Sequence, residues 1–342
     1  MKHSEIIKAL LASEEPSVRW KVRVKVLGDS RETALIKDLE QQVKASPRVR
    51  SLLEHLTGPQ GPQVRYGVYD KWQGAQWVLM TLADIGYPRG DKELLPIVDA
   101  VCQSWLSERF FNEFVAEKKS HAYKRRDAVP VMEGRHRTCA SQQGNALHSI
   151  HALGFDDPRL DELAERLRYW QWPDGGWNCD KEPKAKTSTF IHTLYSMRGL
   201  ALHAKVRGCK ESTAAAKRAS EFFLQRKLFR RRRDNKIIHK KFTLLHYPLY
   251  WHYDILGALK IFAEMDAVTD ERLHEALELL EHKALPSGWP AEERYYKKVT
   301  DERSLGSELV DWGGTSRKKA NPWVTADALY VLSRFGRLDR ST

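Results

Sequence analysis

The chain has 342 residues, 42% of them hydrophobic, with 11 tryptophans, which is enough apolar material to fill a large interior and argues against disorder. A mean hydropathy of −0.57 and the lack of any apolar run near ~20 residues argue against a membrane-spanning helix. The net charge of +12 and pI of about 9.4 favour anionic partners: diphosphates, acidic sugars, nucleic acid or anionic lipid.

At the N-terminus, residues 6–11 form an apolar stretch too short for a secretory signal, so a cytoplasmic protein is expected. From there the sequence reads as paired helices. Apolar residues recur at helical spacing in Leu95, Ile97, Val98, Val101 and Trp105, in Leu160, Leu163, Leu167 and Trp170, and in Leu273, Leu277 and Leu280. The predicted pairs are 16–27 with 31–44, 75–86 with 92–108, 144–154 with 158–171, 188–203 with 211–226, and 251–265 with 270–283. A last helix covers 324–335. After the first pair, which fits the repeat register more weakly, the first helix of each pair is apolar and should be buried on most sides; the second is amphipathic and should show one face to water.

Five of the apolar helices align on a shared leucine. Two residues before it stand Trp77, Asn145, His192, Asp254 and Asp327. In a ring of repeated hairpins that position points at a common centre, and these polar and aromatic side chains would form a site there. The expected fold class is all-α, an α/α toroid of five to six helical hairpins in a single domain spanning 1–342, with rim inserts near 109–137 and 291–322; an open solenoid is the alternative. The joins between helices repeat too. One reads Gln171-Trp172-Pro173-Asp174-Gly175-Gly176-Trp177 and another Ser287-Gly288-Trp289-Pro290, where glycine permits a left-handed turn and tryptophan can stack on the preceding helix end.

The four cysteines, Cys102, Cys139, Cys179 and Cys209, lack C-x-x-C spacing and fit reduced thiols. No base lies at a fixed offset from Cys139, so nothing local marks it as a nucleophile. The densest basic run is Arg230, Arg231, Arg232 and Arg233, followed by Lys236, Lys240 and Lys241. It is either a solvated loop or a phosphate-binding segment. Nucleic acid is disfavoured because aromatic residues are not interleaved with it.

The segment from Gln171 to Trp177 resembles the Q-x-x-D-G-G-W repeat of squalene and terpene cyclases. The stretch from Gly175 through Asp180-Lys181 to Phe190-Ile191-His192-Thr193-Leu194 and Gly199-Leu200 resembles the β subunit of protein prenyltransferases. Trp323-Val324-Thr325-Ala326 matches a cyclase repeat pattern. The resemblance covers the chain at repeat level from about residue 70 onward. It implies the toroid and an enzyme of cyclase or prenyltransferase kind, with zinc as the cofactor. The prenyltransferase histidine falls on His192, and the D-x-C ligand pair falls by register on His252 and Asp254, with Cys179 a possible fourth ligand. A helical-repeat partner subunit would accompany such an enzyme, although nothing in the sequence indicates one. The D-x-D-D acid of class II cyclases is missing, so polyene cyclisation would require Asp327 or Asp254 as the proton donor.

These readings lead to an enzyme acting on an isoprenoid or other apolar substrate with an anionic, diphosphate head. His192, Asp254 and Asp327 are the catalytic candidates, and His192, His252 and Asp254 the metal ligands. Trp77, Asn145, Tyr250 and Trp251 would line the substrate, and Arg231, Arg232 and Lys240 would hold the diphosphate. An α/α-toroid enzyme of acidic polysaccharide, or a non-catalytic scaffold for an anionic partner, are the alternatives.

Overall fold

A computed structural model describes residues 3–57, 67–297 and 306–339. Part of the expected insert at 291–322 (residues 298–305) therefore lies outside the described residues. The chain divides into two compact units, Met1–Asp91 with Gln225–Thr342, and Lys92–Leu224.

Helices are the main regular structure of both units, as the periodicity predicts. In the first unit, Pro16–Trp20 runs on into a wider turn, Lys21–Leu27, that stops at left-handed Gly28; Ala34–Ala45 and Pro47–Thr57 follow. Ala75–Ile85, Ile255–Glu264, His274–His282 and Pro322–Arg334 complete its main helices. The expected helix over 251–265 starts late, at Ile255, because Asp254 is extended and its carboxylate accepts the Gly257 N–H as an N-cap.

The second unit holds Leu95–Trp105, Ala140–Ala152, Arg159–Tyr169, Phe190–Arg207 and Lys210–Leu224. Its insert carries a small sheet that the sequence reading did not anticipate. Strand Glu113–Val115 pairs in parallel with Val129–Met132, which pairs antiparallel with Arg135–His136. The contrast between the two kinds of helix is clear here. Arg159–Tyr169 buries one stripe of Leu160, Leu163, Ala164 and Leu167, whereas Ala140–Ala152 is buried from Ala140 through His151.

The joins are built alike in the two units. Trp177 donates its indole N–H to the Leu167 carbonyl at 2.8 Å and its backbone N–H to the Thr193 hydroxyl at 3.3 Å. Trp289 does the same with the Leu280 carbonyl at 2.8 Å and the Thr325 hydroxyl at 2.9 Å. Each tryptophan thus ties the end of an amphipathic helix to the start of the next buried one. Gly175, at φ +92°, allows the first join: a Cβ there would meet the Arg218 carbonyl oxygen at 2.4 Å.

Candidate metal centre

Two buried helices of the Lys92–Leu224 unit pack backbone against backbone. A Cβ on Gly144 would meet the Tyr195 carbonyl oxygen at 2.5 Å, and one on Gly199 would meet the Gly144 carbonyl oxygen at 2.5 Å. That approach sets Ser141, near the start of Ala140–Ala152, against His192, near the start of Phe190–Arg207. The Ser141 hydroxyl lies 3.0 Å from His192 Nδ1. On the other side of the ring, His192 Nε2 lies 2.9 Å from Cys179 Sγ. Cys139, at the N-cap of the first helix, brings its thiol to the same place. The ligand atoms of Cys139, Cys179 and His192 all lie within 4.8 Å of one another.

The backbone around both thiols is pinned. Asn178 donates to the Thr187 carbonyl at 2.9 Å and accepts the Asp180 N–H at 2.9 Å, which shapes the loop carrying Cys179. Arg137, two residues before Cys139, donates to the Ala185 carbonyl at 3.0 Å and stacks its guanidinium over Trp172 at 4.5 Å. The Cys139 approach and the Cys179 loop are thereby joined through one arginine. Lys181 lies within electrostatic reach of both thiols and of Arg109 and Arg126.

This donor set suits a metal ion. Two thiolates and an imidazole are zinc ligands, and tetrahedral bonds of ~2.0–2.3 Å need ligand edges of roughly 3.5–3.8 Å, which a cluster this tight can supply. Burial pushes the His192 pKa down to about 4, so its ring is neutral and can offer a lone pair. When Nε2 ligates a metal, Nδ1 carries the proton and donates to Ser141, the kind of outer hydrogen bond that fixes a ligating imidazole. The hydrogen bond with Cys139, followed by burial, pushes the Cys179 thiol up. A neutral imidazole beside a protonated thiol is not the ion pair of a cysteine nucleophile, whereas a bound cation would draw off both thiol protons. Cys139 is exposed, so one side of the cluster faces solvent.

Of the expected ligands, His192 and Cys179 therefore belong to one cluster, and Cys139 completes it. His252 and Asp254 lie in the other unit. There Asp254 is buried, and besides capping its helix it accepts the backbone N–H of His246 at 2.9 Å and lies 3.0 Å from His246 Nδ1. His252 stacks on Tyr295 at 3.5 Å, and burial lowers its pKa to about 3.

The remaining residues singled out by sequence occupy varied settings. Asp327 is ion-paired with Lys21 at 2.8 Å and Lys260 at 3.0 Å; both lysines also hold Asp84. The two lysines pull Asp84 well below its ordinary value against the cost of its burial. Trp77 is fully buried and donates to the Tyr69 carbonyl at 2.8 Å. Tyr250 stacks on Trp72 at 4.2 Å and donates its hydroxyl to Glu308, a buried acid that the sequence reading missed. Trp251 packs beneath Lys71 at 4.8 Å. Asn145 is buried, and its amide has no hydrogen-bond partner among the described residues. In the basic run, Arg230 pairs with Glu275 at 2.5 Å and Arg231 with Asp234 at 3.2 Å, while Arg232 and Lys240 are exposed. Arg233 also pairs with Asp234 at 3.7 Å and Lys241 with Glu293 at 3.1 Å, so local carboxylates hold much of that run.

None of the four cysteines is joined in a disulfide, and no described helix is long and apolar enough to cross a membrane. Comparison with family models, with curated proteins and with solved structures returns no match for this chain.

Proposed function

We propose that this chain is a zinc enzyme of prenyltransferase- or cyclase-like kind, built as an α/α toroid. In this reading Cys139, Cys179 and His192 hold the metal and leave one coordination position for a reactant. The observation that carries it is a convergence. The one residue that the prenyltransferase resemblance assigns to zinc by direct match, His192, is the residue against which two thiols lie. Two thiolates balance the ion's charge, and an open fourth position on a three-ligand zinc is the arrangement that activates a bound thiol or water. The substrate of this reading is an isoprenoid or other apolar molecule with an anionic head, met in the cytoplasm. The basic composition supports the head group. The Arg230–Arg233 segment supports it less than its sequence suggests, since Glu275 and Asp234 already hold three of its arginines.

The test is elemental analysis of protein purified without added metal, with a ligand screen alongside. Zinc near one per chain in the wild type and its loss in Cys139→Ser and His192→Ala are expected. Farnesyl or geranylgeranyl diphosphate should raise the melting temperature, and acidic oligosaccharides should not. Protein that carries no zinc, and whose cobalt titration shows no thiolate-to-metal absorption band, would remove the metal reading. A shift with neither ligand class would remove the substrate reading.

A further inference from the structure

The same three residues carry a second chemistry that does not need the metal. The two sulfurs lie within 4.8 Å of each other, and neither cysteine sits inside a helix. Cys139 is an N-cap residue, and Cys179 belongs to the loop between Trp177 and the helix starting at Phe190. Closing to a sulfur–sulfur bond therefore asks for side-chain rotation and a small loop adjustment, with no helix to unwind. The two thiols also differ in access: Cys139 is exposed, while Cys179 is half-buried against His192.

We propose that Cys139 and Cys179 are a peroxide-sensing pair that closes to a reversible disulfide and, in closing, releases the metal. The Cys139 thiolate attacks one oxygen of the peroxide, the O–O bond breaks, and hydroxide leaves with a proton as water; Cys139 becomes a sulfenic acid. The Cys179 sulfur then attacks the Cys139 sulfur, the S–O bond breaks, and the departing hydroxide leaves as a second water, taking its proton from Cys179 where the thiol is protonated and from solvent where the metal has already removed it. Two thiols are oxidised and one peroxide is reduced to two waters. The disulfide withdraws two of the three metal ligands, and His192 alone does not hold the ion. The metal-release half of this inference rests on the zinc reading above; the disulfide half does not.

The experiment treats the purified full chain with hydrogen peroxide and follows two quantities. Non-reducing peptide mapping reads which cysteines are joined, and a chelating dye reads zinc set free. The expected result is one Cys139–Cys179 link, zinc release in step with it, and return of both to the starting state with a phosphine reductant. Cys209→Ser should behave as the wild type, and Cys179→Ser should leave Cys139 to over-oxidise without forming the link. Peroxide that leaves the pair reduced, that drives Cys139 to irreversible acids in the wild type, or that joins either thiol to Cys102 or Cys209 would overturn the proposal even if zinc is present. A Cys139–Cys179 link in protein that never contained zinc would keep the sensor and remove the metal reading, so the two failures are distinguishable.

Discussion

At the residue scale, Ser141 does for His192 what no ligand can do for itself. A histidine ring can turn and can carry its proton on either nitrogen. The hydroxyl 3.0 Å from Nδ1 can accept the proton that Nδ1 carries when Nε2 is the metal ligand, which holds the ring in that orientation. Ser141→Ala is expected to weaken zinc binding by about 10–100-fold while leaving the three ligands in place. Competition against a chelator of known affinity measures this, and an unchanged affinity would deny Ser141 its orienting role. Two of the three residues of this centre could be read from the chain: His192 by its place in Phe190-Ile191-His192-Thr193, and Cys179 by its nearness to it in sequence. Cys139 could not, because its link to the others runs through the Gly144–Gly199 helix contact and the Arg137 clamp, which leave no spacing rule behind. A second residue, Glu308, is buried with the Tyr250 hydroxyl and the Leu309 N–H at 2.8 Å as donors, and burial pushes its pKa up to about 8. Between its ordinary value of 4.5 and about 8, the unfolded chain holds fewer protons here than the folded one, so stability falls as pH rises. The contribution is complete below the lower value and is lost as pH passes through the upper one, by up to about 5 kcal/mol. Glu308→Gln keeps an acceptor for Tyr250 without an ionisable group. Denaturant unfolding from about pH 5 to 9 should therefore show a flatter stability profile than the wild type; an equal slope would place the titrating group elsewhere.

At the element scale, the centre depends on how closely two helices approach. Gly144→Ala places a methyl group 2.5 Å from the Tyr195 carbonyl oxygen and 2.6 Å from the Ser196 Cα, backbone atoms that cannot rotate away. The helices must separate, at a cost of about 1–3 kcal/mol from overpacking, and Ser141 moves away from His192 with them. Thermal unfolding and metal affinity should fall together; a stable variant with full zinc affinity would show that the contact does not set the site. The helices themselves were legible because each keeps its 3.6-residue period for several turns, as in Leu160, Leu163, Leu167, and because joins such as Gly175-Gly176-Trp177 mark their ends. The sheet of the insert was not. Its strands run from two to four residues, too short for an alternating pattern to stand out from a loop. The carboxylates illustrate a different limit. Burying an aspartate requires a partner for its charge, but the sequence could not say that Asp327 has two lysines, nor that Asp254 caps a helix.

At the scale of the whole molecule, the two compact units carry different chemistry. All three candidate ligands lie in Lys92–Leu224, while the Lys21, Lys260, Asp84 and Asp327 network and the Glu308 acid lie in the other unit. A metal that binds only the folded state stabilises the unit that holds it, by about 4 kcal/mol when free zinc stands 1,000-fold above its dissociation constant. Chelation should therefore act locally. Amide hydrogen exchange before and after removal of zinc is expected to speed up first in the 178–189 loop and in the starts of Ala140–Ala152 and Phe190–Arg207, where the ligands sit. Pro322–Arg334 and Ile255–Glu264 should keep their protection, because the lysine–aspartate network and the Asp254 cap are untouched by the ion. Raising the pH through about 8 with zinc present should do the reverse, loosening the segment around Glu308 and sparing the metal loop. If chelation instead opened both units equally, or left the Cys179 loop as protected as before, the ion would not be held by Cys139, Cys179 and His192, and the enzyme reading built on them would go with it.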